Sequence, residues 1–271
     1  MEIKLKPKGI PNIGNTCFAN ATLQALFCIP SMASEIRNLE DGKKSLNLPL
    51  KKLLKALEDD KDDKELRDCM KNIMKTARKQ TKAFTKSRQH DACEFFHCIM
   101  NHTDNAISKL VRVETKTLFN CETNSSHEEP TSENSHHNLS VIIQGKIIKG
   151  QALKLDQLIY SQFFDKPENA GYECDLCEEK GKGSSTMLMK TDIVDYPEIL
   201  VVQSLIYNMK GIRIDCTIEF REELTLKENL KGNLKGNVYR LVAIVVHWGH
   251  GIKSGHYVAY IKKEGRWWFV S

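Results

Sequence analysis

Residues 9–26 read GIPNIGNTCFANATLQAL, and this stretch places one cysteine where an irregular loop gives way to a helix. Pro11 and Gly14 break any regular element before Cys17, and apolar residues then recur at helical spacing, at Ala19, Leu23, Leu26 and Phe27. A thiol at a helix N-terminus lies at the positive end of the macrodipole, which favours the thiolate. Cys17 is therefore a candidate nucleophile, the alternative being an inert apolar residue at a helix start.

A candidate base lies far along the chain, in residues 254–260 (SGHYVAY). Gly255 allows another part of the chain to come close to His256, and a strand pattern follows the histidine. A histidine on a strand beside a glycine can equally be a hydrogen-bonded core residue. The residues alone leave both interpretations open.

The N-terminal part of the sequence carries helical patterns. Pro30 is predicted to end the helix that begins near Cys17. Two further amphipathic helices are predicted from the apolar sets Leu50, Leu53, Leu54, Leu57 and Leu66, Met70, Ile73, Met74, Ala77. Another helix is predicted to begin near Asp91, because Glu94 follows three residues later as in a capping box.

The C-terminal part carries strand patterns instead. Residues 122–138 (ETNSSHEEPTSENSHHN) are polar and without period, which predicts a loop or a disordered insert. Strands are predicted at 139–143, 199–207, 239–248, 256–262 and 266–270, the second of them buried on both faces because it is almost wholly apolar. Helices first and strands later predict an α+β fold.

Composition narrows the function classes. The 271 residues carry 40 basic and 35 acidic side chains, a net charge of +5 dispersed along the chain, so a nucleic-acid-binding stripe is not expected. No apolar run approaches the roughly 18 residues that a membrane span needs. Nine cysteines without an export signal favour a reducing compartment, the cytoplasm or the nucleus, where cysteines serve as core residues, metal ligands or nucleophiles.

Three segments together resemble the ubiquitin-specific proteases. Residues 9–26 resemble the cysteine box of that family, residues 254–260 its histidine box, and residues 89–96 (QHDACEFF) the short box between them. The boxes stand in the family's order, with a Tyr-x-Cys-x-x-Cys segment and a Pro-x-x-Leu strand between them. Single short motifs often match by accident, whereas an ordered set covering nearly the whole chain does not.

The resemblance implies one papain-like catalytic domain over 1–271, shaped as a hand. Residues 1–115 would form a helical thumb, and 116–271 would form antiparallel β fingers and palm, with the active site in the cleft between thumb and palm. The implied reaction is thiol-dependent hydrolysis of the bond after the C-terminal glycine of ubiquitin, with ubiquitin and ubiquitinated proteins as partners and no cofactor required.

The resemblance also assigns roles to individual residues. Cys17 would be the nucleophile, His256 its base and Asn12 an oxyanion donor. Ser271 falls where the family has an Asn or Asp that orients the base, and a hydroxyl there offers no charge to an imidazolium. Substrate-binding roles follow for four residues, Gln89, Asp91, Gly255 and Tyr257. The resemblance implies further palm strands after this position, so the sequence is expected to be either a fragment or a weakened enzyme.

Zinc is an open question in the sequence. Many relatives carry two Cys-x-x-Cys pairs in the fingers, which together make a tetrahedral site. Here Cys174 and Cys177 supply one pair, a half-site. Further ligands within 119–138 are limited to Cys121, His127, His136 and His137. The sequence therefore allows either a mixed cysteine and histidine zinc site or a relic pair without metal.

Two other functions remain from the sequence. A weakly active or inactive family member would act as a ubiquitin-binding scaffold, an alternative that Ser271 motivates. A papain-type protease acting on ordinary peptides is disfavoured, because the sequence shows neither a secretory signal nor a proregion.

Overall fold

The structure is a computed structural model that describes residues 8–85, 88–124, 126–143, 151–165, 167–179, 185–208, 210–227, 236–251 and 254–271. Helices in these ranges are α1 Cys17–Phe27, α2 Pro30–Asn38, α3 Asn47–Glu58, α4 Asp63–Gln80, α5 Ala92–His102, α6 Asn105–Val111, α7 Leu155–Phe163 and α8 Asp175–Glu179. Strands are β1 Val113–Cys121, β2 Glu128–His136, β3 Leu139–Ile142, β4 Leu153–Lys154, β5 Glu168–Glu173, β6 Thr186–Asp195, β7 Val202–Leu205, β8 Ile218–Glu219, β9 Glu223–Lys227, β10 Gly236–Arg240, β11 Ala243–Gly251, β12 Ser254–Lys263 and β13 Arg266–Val270.

The chain divides into two compact units. The first contains Met1–Leu110, Tyr207–Ile214 and Arg240–Ser271, and the second contains Val111–Ile206 and Asp215–Tyr239. The predicted α+β class is confirmed, since helices dominate the N-terminal part and strands the rest. The predicted single domain, with its division near residue 115, stays a prediction. No helix within the described ranges has both the length and the apolar character needed to span a bilayer.

The helices of the first unit follow the apolar periodicity of the sequence. α1, α3 and α4 coincide with the predicted helices, and α5 begins after Asp91, whose carboxylate accepts the backbone N–H of Glu94. Pro30 does more than end the preceding helix, because it opens α2 at a first-turn position where its missing N–H costs nothing. Almost every side chain of α1 is buried, so this helix lies at the centre of the unit.

A three-stranded antiparallel sheet, in the order β11-β12-β13, completes the first unit. Ala21 of α1 packs against Ala259 and Ile261 of β12 and Val270 of β13 in one apolar cluster. At the N-terminal start of the cysteine box, a Cβ built on Gly9 would lie 3.2 Å from the carbonyl oxygen of Ser271. The packing thus brings the beginning of the cysteine box next to the residue at position 271.

The second unit is built on a sheet in the order β2-β1-β6-β5, whose paired strands are all antiparallel. The prediction of a loop over 122–138 is wrong, because Glu128–His136 forms β2 at the sheet edge and pairs with β1. The described side chains of this strand are polar, and all of them except the half-buried Glu129 are exposed, so no apolar alternation marks it.

Two other strand predictions differ from the structure. The apolar run 199–207 contains only the short β7, half-buried rather than buried on both faces, and β7 pairs in parallel with β3. A second short parallel pair joins β4 and β8. The run 239–248 is split between β10 and β11, with Val242 between them as acceptor for the backbone N–H of Lys262. An apolar run in the sequence thus indicates that a strand is present, but it does not determine which strand it pairs with or how far its faces are buried.

Candidate active site

Cys17 is the first residue of α1 and its side chain is 3% exposed. The residue before it, Thr16, does not cap the helix with its side chain. Its hydroxyl accepts the N–H of Ile13 at 3.1 Å and donates to Asn12 Oδ1 at 2.8 Å. The Thr16 side chain therefore leaves the N–H groups of the first turn free of a cap, and their partial positive charge can stabilise a thiolate or an oxyanion.

Asn12 is held from two directions. Because Oδ1 accepts the Thr16 hydroxyl, the amide NH₂ group is left to donate elsewhere. The backbone carbonyl of Asn12 accepts from Arg67 Nη1 on α4 at 3.1 Å, which anchors the loop. Asn12 itself is exposed. An anchored loop with a free amide donor beside a helix N-terminus is the arrangement that an oxyanion hole requires.

His256 lies on β12 and pairs with Ser271, whose hydroxyl Oγ is 2.8 Å from imidazole Nε2. In the neutral tautomer with the proton on Nε2, the imidazole donates to Ser271 and Nδ1 is left to accept a proton. The predicted partnership of these two residues is present in the structure. The hydroxyl orients the ring without adding negative charge.

Two contacts join the segment before α5 to β12. The side-chain amide Nε2 of Gln89 donates to the carbonyl of Gly255, and the hydroxyl of Tyr257 donates to Asp91 Oδ2 at 3.1 Å. Burial first, and then the Asp91 charge, raise the pKa of Tyr257 well above its ordinary value, so the hydroxyl stays a donor. The four residues predicted to bind substrate are thus brought together around His256. The carbonyl oxygen of Gln89, Oε1, is buried without a hydrogen-bond partner within the described chain.

Other cysteines in the first unit are poor nucleophiles. Burial raises the pKa of Cys28 and of Cys93 to about 12, and that of Cys98 to about 11. The pKa of Cys69 on α4 is also raised, by burial and by Glu65. Because the thiolate is the reactive form, these side chains are inert near neutral pH.

Sequence reasoning missed two residues of the site. Thr16 orients Asn12, and its signal was a hydroxyl residue directly before the candidate nucleophile. His247 on β11 is 8% exposed and lies against the chain on either side of His256. Its signal in the sequence was a second histidine close to the histidine box. The residue lies within an apolar strand pattern, which by itself does not mark it as part of a site.

A second constellation lies in the second unit, where Cys121, His127, Cys174 and Cys177 converge. Their donor atoms all lie within 4.8 Å of one another, and all four residues are buried. The His127 Nδ1 atom is 3.6 Å from Cys174 Sγ and 3.4 Å from Cys177 Sγ. The sequence offered the Cys174 and Cys177 half-site together with Cys121 and three histidines, and the structure brings Cys121 and His127 to that half-site. Among the described residues, neither His136 nor His137 joins this cluster.

The donor set fits a tetrahedral zinc ion. Three sulfurs and one imidazole nitrogen are a common structural zinc environment, and such sites leave no open position for a substrate. Hydrogen bonds with the hydroxyls of Ser185 and Thr123 lower the pKa of Cys121 to about 5, which favours the thiolate that a metal needs. Backbone bonds from Cys174 N to Ser185 O and from Cys177 N to Cys174 O hold the two Cys-x-x-Cys thiols in place. The mixed-site alternative is the one that the structure supports.

Comparisons with known proteins identify similar sequences. The family model described as ubiquitin carboxyl-terminal hydrolase matches residues 8–271. Ubiquitin carboxyl-terminal hydrolase 25 of Arabidopsis thaliana is 26% identical over 97% of this chain and 43% of its own length. Ubiquitin carboxyl-terminal hydrolase 17-like protein D of Mus musculus is also 26% identical, over 96% of this chain and 49% of its own length. The chain therefore spans less than half of these relatives.

Solved structures show the same fold. The SAGA Ubp8/Sgf11/Sus1/Sgf73 DUB module bound to ubiquitin aldehyde matches with a TM-score of 0.78 at 21% identity, over 100% of this chain and 66% of the matched chain. A structure of the SAGA DUB module bound to monoubiquitin matches with a TM-score of 0.79 at 20% identity, over 100% and 65% of the two chains. The predicted papain-like fold class is thereby confirmed.

Proposed function

Because this chain belongs to the ubiquitin carboxyl-terminal hydrolase family, we propose that it hydrolyses the bond after the C-terminal glycine of ubiquitin. The observation that carries the proposal is the joint placement of two elements. Cys17 opens a helix with an uncapped first turn, and that helix packs on the sheet that holds the His256–Ser271 pair. A thiol, a base and a base-orienting acceptor are the parts that a cysteine protease needs.

The chemistry begins with proton transfer. Nδ1 of His256, the nitrogen that Ser271 leaves open, takes the proton of Cys17, and the thiolate attacks the glycine carbonyl carbon. The carbonyl electrons move to oxygen, where the Cys17 N–H and the Asn12 amide stabilise the charge. Collapse of this intermediate breaks the C–N bond, and His256 returns the proton to the leaving amine.

Water completes the cycle. His256 accepts a proton from water, and the hydroxide attacks the thioester carbonyl of the acyl-enzyme. The C–S bond then breaks, Cys17 leaves as thiolate, and ubiquitin departs with a free carboxylate. No oxidation state changes in either half of the reaction. A bound zinc ion would act as a structural cross-link of the second unit, held by Cys121, His127, Cys174 and Cys177.

Substrate recognition is proposed for the residues beside His256. Asp91 offers a carboxylate, and buried Oε1 of Gln89 offers an acceptor that lacks a partner within the described chain. A flexible glycine tail carries backbone N–H groups that such acceptors bind. The partners proposed are therefore ubiquitin and ubiquitinated proteins rather than nucleic acid, since the modest excess of basic residues is dispersed.

A reducing compartment, the cytoplasm or the nucleus, is proposed as the place of action. Nine cysteines lie in the described ranges and none is joined in a disulfide. A thiolate nucleophile and three thiol metal ligands work only while they remain reduced.

Hydrolysis of a ubiquitin C-terminal fluorogenic amide tests the proposal directly. We expect single-turnover release of the fluorophore, with a thioester on Cys17 trapped at low pH. Short fluorogenic peptides without the ubiquitin body should not be cleaved. Stoichiometric ubiquitin binding without release would contradict the proposed hydrolysis, and cleavage of generic peptides would indicate a papain-type protease instead.

Removing the Asn12 amide should cost catalysis without weakening substrate binding. Asn12→Ala deletes one donor to the developing oxyanion, and losing one such donor typically lowers kcat by about 10²–10³-fold. Burst and steady-state kinetics on the fluorogenic amide measure the change, with KM expected to stay near the parental value. Arg67→Ala is the comparison, because it releases the loop without removing the donor and should cost less. An unchanged kcat in Asn12→Ala would remove Asn12 from the site.

Gly255→Ala is expected to disrupt the segment before the base. The added Cβ would collide with His247 Nε2 and would lie 2.5 Å from the Trp248 carbonyl oxygen, at a φ of +151°. Shifting His256 by even about 1 Å can cost about 10²-fold in rate. Gly265→Ala is the matched control, because its φ is +75° but its Cβ would meet nothing within 4 Å. Equal activity of the two variants would show that the close contact at Gly255 does not position the base.

A further inference from the structure

His247 lies at the centre of the contacts that surround the catalytic segment. Its Nδ1 atom is 2.6 Å from the hydroxyl of Tyr207, and its ring centroid is 4.5 Å from that of Tyr257. A Cβ built on Gly255 would collide with its Nε2 atom, so the imidazole rests directly against that glycine. The residues immediately before and after His256 therefore both rest on one buried histidine.

His247 thus contacts Gly255 and Tyr257, the two β12 residues that connect this strand to the residues before α5. One connection is Gln89 to the Gly255 carbonyl, and the other is Tyr257 to Asp91. A ring that moved away from Gly255 and Tyr257 would loosen both at once. Closely packed side chains move between discrete arrangements and do not deform continuously. Loss of these two connections would therefore change the orientation of the His256 ring.

The tautomer of His247 is assigned from its hydrogen bond with Tyr207. Burial raises the pKa of Tyr207, so its hydroxyl keeps a proton that it can donate, and we assign Nδ1 of His247 as the acceptor. The proton of the neutral ring then sits on Nε2, on the side of Gly255. Protonation of Nδ1 would remove the lone pair that accepts from Tyr207, so the hydroxyl would have to reverse its direction, and the buried ring would carry a positive charge near Arg213.

The surroundings favour this neutral form. Burial first, and then the Arg213 guanidinium, lower the pKa of His247, while the Asp91 carboxylate acts in the opposite direction. Arg213 is held near by its bond from Nη1 to the Gly249 carbonyl at 3.2 Å. The charged and titratable groups facing the ring are thus Tyr207, Tyr257, Arg213 and Asp91.

We propose that His247 is a positioning residue for the reaction: its neutral imidazole, held by Tyr207, fixes the Gly255–Tyr257 segment and so aims His256. The inference rests on the proposed hydrolase function. Positioning is lost when His247 gains a proton. Since its pKa is depressed by folding, the contribution is complete above the ordinary histidine pKa of about 6.5 and is lost as pH falls through the folded-state value.

Three variants test the role by kinetics. Tyr207→Phe deletes the donor and should lower kcat/KM roughly fivefold, in line with a hydrogen bond of ordinary strength, with most of the fall in kcat. His247→Leu should lower it about 10²-fold, as misplacement of a reacting group does. His247→Asn keeps an acceptor near the Nδ1 position but does not titrate. It should recover most of the activity and move the acid limb of the kcat/KM profile to lower pH.

Tyr239→Phe is the matched control. Its hydroxyl donates to the Pro197 carbonyl at 2.7 Å, so the variant loses a hydrogen bond of similar length that belongs to the second unit. We expect parental kinetics and an unchanged acid limb. Parental kcat/KM in both Tyr207→Phe and His247→Leu, or equal losses in Tyr207→Phe and Tyr239→Phe, would overturn the proposal.

A readout without ubiquitin separates this inference from the proposed function. Long-range ¹H–¹⁵N spectra of the histidine rings should show His247 neutral, with its proton on Nε2, at pH values where exposed histidines are charged. The His256 ring signals should shift in Tyr207→Phe and stay in place in Tyr239→Phe. If the parent protein failed to hydrolyse ubiquitin, these shifts would still support positioning of the His256 ring. Unmoved His256 signals in Tyr207→Phe would contradict the inference whatever the activity.

Discussion

Cys17→Ala is expected to abolish both hydrolysis of a ubiquitin C-terminal amide and the covalent adduct with ubiquitin carrying a C-terminal electrophile. The thiol is the group proposed to form the acyl-enzyme, and removing such a nucleophile costs about 10⁴-fold or more in kcat. The adduct, an increase of one ubiquitin mass on intact-protein spectra, should be stoichiometric in the parent chain and missing in the variant.

Cys17→Ser sharpens the same experiment. The hydroxyl preserves the shape of the side chain at the start of α1, but at neutral pH it holds almost no anion, so neither adduct nor turnover is expected. Retained ubiquitin affinity in this variant would show that the fold and the tail-binding residues are intact.

Cys69→Ser is the matched control for Cys17. Cys69 lies half-buried on α4, and its raised pKa keeps it a thiol at neutral pH. We expect this variant to keep parental adduct formation and kcat/KM. An adduct that survives in Cys17→Ala, or disappears in Cys69→Ser, would assign the nucleophile to a different cysteine.

Much of the candidate active site could be predicted from the sequence because its signals are local. The helix start at Cys17 follows from a loop rich in breakers before an apolar period, and α1 begins at that residue. The Asp91 cap follows from Glu94 three residues on. Counting from a tryptophan places Ser271, and its hydroxyl does meet His256. The pairing of residues so distant in sequence rested on the family resemblance and not on periodicity.

What escaped prediction depends on tertiary register. β2 is a polar edge strand, so its sequence is indistinguishable from that of a loop until β1 is beside it. Of the three histidines near it, only His127 points to the thiols, because it precedes the strand while His136 ends it. His247 was hidden for the same reason. The role proposed for it depends on contacts with Tyr207 and Gly255, and the sequence of its own strand does not indicate either contact.

Zinc should hold the second unit together, and removal of one ligand should show it. The parent chain is expected to contain about one zinc ion, and Cys177→Ser is expected to lose it, because three ligands bind far more weakly than a closed tetrahedron. Structural zinc sites bind with apparent free energies of about 10–16 kcal/mol, so the loss should lower the melting temperature strongly. Chelator should destabilise the parent and leave Cys177→Ser unaffected.

His127→Ala and His136→Ala form the matched pair for this site. Both remove an imidazole from the same segment, but only His127 lies among the thiols, whereas His136 is exposed at the end of β2. His127→Ala should lose zinc and His136→Ala should keep it, as measured by metal analysis of the purified proteins. Absorption spectra of the cobalt-substituted protein report the ligands and the geometry, because three thiolates give strong sulfur-to-metal charge-transfer bands in a tetrahedral field. A parent chain free of zinc after purification without chelators, or equal zinc loss in the two histidine variants, would contradict the site. The four buried donor atoms stand close enough that thiolates there need either a metal or protons between them, and three sulfurs with one imidazole nitrogen fit zinc.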